Sequence, residues 1–97
     1  MAIDFDNLEI VNNERAKRFE AKLGDDVAVV EYQLTGKVIT FTHTEVPPAY
    51  EGYGIASKMA KVALEYAKSH ELKVLPLCPY IKAYILRHPE YKSISYG

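Results

Sequence analysis

The stretch KVITFTHTEVPPAYEGYGIASKMAKVALEYAKS, Lys37 to Ser69, changes its hydrophobic period midway, and that change decides the fold. Lys37–Glu45 alternates, with Ile39, Phe41 and His43 on one face and Val38, Thr40, Thr42 and Thr44 on the other, as a strand requires. Pro47 and Pro48 cannot donate to a ladder and both fix φ, so the strand stops there. From Gly54 to Ser69 the period is helical: Ile55, Met59, Val62, Ala63 and Tyr66 share a face. Lys58, Lys61, Glu65 and Lys68 take the opposite side, which reads as a solvated face.

Upstream, Ala16–Leu23 places Phe19, Ala21 and Leu23 on one face of a second strand, and Gly24-Asp25-Asp26 supplies a turn. Val27–Leu34 alternates Ala28, Val30, Tyr32 and Leu34 against Glu31 and Gln33, and Thr35-Gly36 turns it into Lys37–Glu45. Three strands joined so tightly form an antiparallel meander. The polar leading segment Met1–Asn13 is expected to be loose and to end in a short strand. Downstream, Leu72–Leu77 is a short apolar strand, Tyr80–His88 a helix with Ile81, Tyr84 and Ile85 on one side, and Glu90–Gly97 is left unassigned. Strand, helix, strand implies a right-handed crossover, so Lys37–Glu45 and Leu72–Leu77 run parallel and the loop between strand and helix opens at their carboxyl ends. Ligands of such sheets usually bind at that edge. The expected fold is α+β: a mixed sheet of about four strands, with the meander, the parallel β-α-β crossover and a C-terminal helix, in a single domain spanning residues 1–97.

The chain of 97 residues carries 12 basic and 13 acidic side chains, a formal net charge of −1. Such a balance projects no field toward nucleic acid or an anionic membrane, so phosphate recognition has to be local. No apolar run approaches the ~20 residues of a membrane span. Cys78 is the single cysteine, which excludes an intramolecular disulfide and, with no signal peptide evident, suits the cytosol. His70 and His88 have no metal-ligand spacing with each other or with Cys78, so no metal site is expected.

Gly52-Tyr53-Gly54 stands between a strand and a helix start, where backbone N–H groups lack intrahelical partners and the helix dipole favours an anion. Glycine permits close approach of phosphate oxygens. No Gly-Lys-Ser/Thr ending follows, which argues against a nucleoside triphosphatase loop. By itself the Gly-x-Gly pattern equally describes a left-handed turn with no ligand.

The segment Gly52-Tyr-Gly54-Ile-Ala56 resembles the G-x-G/A part of the Q/R-x-x-G-x-G/A signature of the GNAT acetyltransferase superfamily, which cradles a coenzyme pyrophosphate. His43-Thr-Glu-Val-Pro47, Pro76-Leu-Cys-Pro-Tyr80 and Arg87-His-Pro-Glu-Tyr91, in this order, are similar to the short YjdJ-type GNAT-like subgroup, over about Phe19 to Tyr91. The resemblance implies a truncated GNAT-like core that binds acetyl-CoA. Backbone groups of Thr44, Glu45 and Val46 would meet the pantetheine arm, and the amides of Glu51, Gly52, Tyr53, Gly54, Ile55 and Ala56 would hold the pyrophosphate. The Q/R position is Ala49, so that side-chain contact is missing and main-chain donors carry the load. Full-length enzymes of the superfamily continue with further strands after the second helix, which leaves the acceptor open.

Candidate catalytic groups follow from this placement. Cys78 either accepts acetyl as a thiolate or helps protonate the departing coenzyme thiolate, against the reading of a small residue packed at a strand end. Tyr80 either protonates the coenzyme sulfur or anchors the second helix. Glu45 and His43, two apart on one strand, face the same way and offer a base for an amine, although His43 also reads as a structural residue facing the helix beside Ile39 and Phe41. Tyr50 and Tyr53 flank the glycines and either cover the coenzyme or shield the loop. The leading expectation is transfer of acetyl from acetyl-CoA to an amine acceptor. The alternatives are an acetyl-CoA or CoA-binding module without efficient turnover, and an interaction domain with no ligand at its loop.

Overall fold

The computed structural model describes residues 3–96 as a five-stranded mixed sheet with two helices. The strands are β1 (Ile10–Asn13), β2 (Arg18–Leu23), β3 (Asp26–Thr35), β4 (Val38–Glu45) and β5 (Lys73–Pro76), in spatial order β1-β2-β3-β4-β5. The first four pair antiparallel, and β4 pairs parallel with β5. Helix α1 (Ile55–Ser69) makes the crossover between β4 and β5, and α2 (Pro79–Arg87) follows β5. The α+β class, the crossover and the C-terminal helix agree with the sequence reading, while the meander gains a fourth strand. That strand is β1, whose Asn12 accepts a 2.7 Å hydrogen bond from the Tyr32 hydroxyl. It is the short strand expected at the end of the leading segment, although two of its four residues are asparagine, which is depleted in strands generally.

One core joins the inner sheet face to both helices: Phe19, Val30, Ile39 and Phe41 from the strands meet Met59, Leu64 and Ile81 from the helices, all essentially solvent-free. On α1 the buried set is Ile55, Met59, Ala60, Ala63, Leu64 and Ala67. The stripe is rotated from the expected one, for Val62 is 36% exposed and Leu64 is fully buried. Three alanines in the contact let the helix lie close to the sheet, and they turn its large residues Met59 and Leu64 inward.

The alternation of β4 also breaks. Glu31 pairs with His43 but Tyr32 pairs with Phe41, so Thr42 is the extra residue of a β-bulge. Ile39 and Phe41 stay buried, Thr44 turns to the inner face opposite the buried Val30, and His43 turns out. The expectation that His43 packs beside Ile39 and Phe41 is therefore corrected: its side chain is 52% exposed. Period-two reasoning carries across a strand only where the ladder is regular.

After α2, a 3-10 segment (Pro89–Ile94) leads the chain back along the free edge of β5, where Tyr96 N–H donates to the Val74 carbonyl at 2.9 Å. Buried Tyr91 donates a 2.6 Å hydrogen bond to Glu65 of α1, and burial followed by that carboxylate pushes its hydroxyl well above the usual tyrosine range. The Arg-His-Pro-Glu-Tyr segment thus ties the C-terminal part of the chain to α1.

Candidate functional site

Strands β4 and β5 are paired only from Val38↔Lys73 to Phe41↔Pro76. Beyond that point β4 continues to Glu45, whereas β5 ends at Pro76 and Cys78 N–H makes a last 2.9 Å bond to the Phe41 carbonyl before α2 begins. The two chains part there. The gap is a cavity of about 450 Å³, within the range of small-molecule sites. Its walls come from three places: Thr44, Glu45 and Val46 at the end of β4; Tyr50, Glu51, Gly52, Gly54, Ile55, Ala56 and Ser57 from the loop and first turn of α1; and Tyr80 from α2.

The loop is bent by Pro47 and Pro48 into a 3-10 turn, Pro48–Tyr50, and then passes through Gly52 at φ +89° and Gly54 at φ +76°. Both are left-handed conformations that favour glycine. A methyl group added at either position meets nothing within 4 Å, so space remains above the backbone. Gly54 is the N-cap of α1 and offers no side-chain cap. The first helical bond is Lys58 N–H to Gly54 carbonyl, at 3.1 Å. Among the described residues the N–H groups of Gly52 through Ser57 find no protein acceptor, and they cluster at the positive end of a 15-residue helix. Two carboxylates, Glu45 and Glu51, sit on the rim, and no lysine or arginine lines the cavity.

Of the residues singled out from sequence, Thr44, Glu45, Val46, Glu51, Gly52, Gly54, Ile55, Ala56 and Tyr80 come together on these walls. Tyr53 does not: its ring stacks on Phe5 at 4.3 Å with planes 8° apart, away from the cavity wall. His43 lies outside as well, but its Nε2 is 3.1 Å from Glu45 Oε1, so the wall carboxylate is linked to an exposed imidazole. Cys78 is 3% exposed and stands behind the wall, its sulfur 3.2 Å from the Thr44 hydroxyl. It is the N-cap residue of α2, closer to the helix start than the sequence implies, yet its side chain makes no cap bond. Ser57 went unmarked in the sequence reading. Its signal is positional: it is the third helical residue after Gly54, beside the free amides of the first helical turn.

Residues 18–94, most of the chain, match the family described as GCN5-related N-acetyl-transferase. Protein NATD1 of Homo sapiens is 36% identical over 85 residues, covering 84% of this chain and 75% of that protein. Protein NATD1 of Danio rerio is 34% identical over 89 residues, covering 87% and 81%. The NMR solution structure of a GCN5-like protein from Staphylococcus aureus superposes with a TM-score of 0.73 at 26% identity, over 94% of this chain and 90% of that one.

Proposed function

The chain belongs to the GCN5-related N-acetyltransferase family, and we propose that it binds acetyl-CoA at the cavity between β4, α1 and α2 and transfers the acetyl group to an amine. One observation carries the proposal: six consecutive backbone N–H groups, Gly52 to Ser57, lack protein acceptors at a helix N-terminus that opens on a cavity. A diphosphate fits such a donor set, and the open space over Gly52 and Gly54 admits its oxygens. Acetyl-CoA supplies the activated acetyl thioester.

The roles of the chain's own groups follow from where they stand. The loop amides and the Ser57 hydroxyl hold the phosphates. The parted backbone of Thr44, Glu45 and Val46 offers main-chain groups to the pantetheine amides, extending the sheet where β5 has left it. Tyr80, on the cavity wall, is positioned to give its hydroxyl proton to the departing coenzyme sulfur. Glu45 takes the proton from the acceptor ammonium, and its 3.1 Å link to exposed His43 hands that proton toward solvent. The neutral amine then attacks the thioester carbonyl, the C–S bond breaks, and the proton lost from the acylated nitrogen restores the one Tyr80 gave to the sulfur, with positioning as the main source of rate. The single thiol suits a reducing, cytosolic setting.

A second reading is favoured by the Thr44–Cys78 contact: rotation of Thr44 exposes the sulfur to the cavity, and Cys78 carries the acetyl group before the amine does. Incubation with acetyl-CoA and a panel of primary amines, following thiol release, tests the transfer. Intact mass of the protein during turnover separates the two routes. Tight coenzyme binding with no thiol release for any amine identifies a binding module instead.

A further inference from the structure

The coenzyme site described above has an unusual electrostatic gap. Free CoA carries several negative charges, yet the cavity walls present two carboxylates and no cation. One cation on α1 stands close in sequence to the free amides: Lys58. It lies four residues after Gly54, hence on the same face of α1, and helical side chains lean toward the N-terminus. Its ammonium is therefore directed at the end of the helix where the free amides lie. There it is already engaged: it donates to the Phe5 carbonyl and lies 3.8 Å from the Asp6 carboxylate. Phe5 in turn stacks on Tyr53, between the two glycines, and its ring centroid is 6.4 Å from that of the cavity residue Tyr50. The segment Phe5–Asn7 is a 3-10 turn held by the Asp4 side chain, which accepts from Asp6 N–H at 3.1 Å.

We infer that Phe5–Asn7 is a strap that holds Lys58, and that Lys58 exchanges the Phe5 carbonyl and Asp6 for a coenzyme phosphate on binding. The exchange is easy in one direction. The Asp6 side chain is 98% exposed, and an ion pair of that kind is worth little, whereas the coenzyme diphosphate carries two negative charges in total and offers charge-assisted acceptors. The strap also sets a specificity: Lys58 responds to the nucleotide end of the ligand and not to the pantetheine arm. The inference rests on the coenzyme reading of the cavity.

The test is calorimetric titration of the full chain with CoA, 3′-dephospho-CoA and pantetheine. Lys58→Met is expected to weaken CoA about tenfold, the loss of one charge-assisted contact, and to leave pantetheine unchanged. Phe5→Ala and Asp6→Asn are each expected to tighten CoA about two- to threefold by freeing Lys58. Dephospho-CoA locates the contact: retention of the Lys58 effect assigns it to the diphosphate, and loss of the effect to the 3′-phosphate. Wild-type affinity for CoA in Lys58→Met, or an equal loss for pantetheine, overturns the inference. So does tightening by Asp6→Asn without tightening by Phe5→Ala, since charge removal alone then accounts for it. If the wild-type chain binds no CoA, the coenzyme reading itself fails, and the strap with it.

Discussion

The Thr44 hydroxyl lies 3.2 Å from the Cys78 sulfur, although the two residues belong to different elements and Thr44 would face the other way in a regular strand. The bulge at Thr42 makes the contact possible. It shifts the alternation of β4 by one residue, so that Thr44 turns toward the helices while His43 and Glu45 turn out together. The same shift lies beside the point where β4 and β5 part, so the Thr44–Cys78 contact stands at the inner end of the cavity opened by the end of β5 at Pro76.

If transfer to the amine is direct, Cys78 is a packed residue under Thr44. Cys78→Ala is then expected to retain turnover within about tenfold and to cost about 1 kcal/mol of stability, as removal of a small buried group does. A complete loss of thiol release in a variant that remains folded, together with an acetylated wild-type intermediate in the mass spectrum, would transfer the nucleophile to Cys78.

Gly54→Ala separates backbone need from ligand need. At φ +76° an alanine is strained by roughly 1–2 kcal/mol, and the added methyl meets no protein atom within 4 Å. The melting temperature should fall by about 4–16 °C, in line with that cost. Coenzyme affinity should fall by about tenfold or more, because the methyl projects into the space left for phosphate. Equal, small effects on both properties would assign Gly54 to the turn alone.

Glu45 and His43 differ in expected weight. Glu45→Gln keeps the shape of the cavity wall and removes the base, so kcat should drop about 100-fold with coenzyme affinity little changed. His43→Asn removes only the outward link and should cost less, about tenfold or below. A His43 variant more damaged than the Glu45 variant would reverse the assignment of base and relay.

The rotated face of α1 is checked by a pair of truncations. Leu64 is fully buried, so Leu64→Ala should destabilise by about 2–5 kcal/mol in chemical denaturation. Val62, at 36% exposure, should cost about 0.5 kcal/mol or less when cut to alanine. Similar losses at both positions would contradict the packing.

Much of this architecture is legible in the chain because local signals agree. The switch from period two to helical period after Pro47-Pro48 locates the crossover, and Gly52 and Gly54 adopt the left-handed conformations their identity suggests. What is not legible has physical reasons. The bulge at Thr42 depends on pairing with β3, a non-local property that no run of β4 residues states. The short strand β1 is legible, but its joining the meander as a fourth strand rests on pairing with β2 and on the Tyr32–Asn12 bond, which are non-local. The face of α1 depends on how closely its alanines approach the sheet, and alanine sits equally well on either side of a helix in sequence. Near the cavity, the Tyr53 ring is turned to Phe5, from a segment that reads as loose, and Lys58, in a stripe that reads as solvated, donates to the Phe5 carbonyl.

The docking of a coenzyme diphosphate on exposed peptide nitrogens is tested most directly by titrating acetyl-CoA into isotopically labelled protein and following the amide resonances of Gly52, Gly54, Ile55, Ala56 and Ser57. Binding at the helix start requires these signals to move first and furthest, with Thr44 to Val46 following and the amides of β1 and β2 still. Signals in the glycine turn that stay fixed at saturating ligand would contradict it, and would leave Gly52 and Gly54 with no role beyond bending the chain.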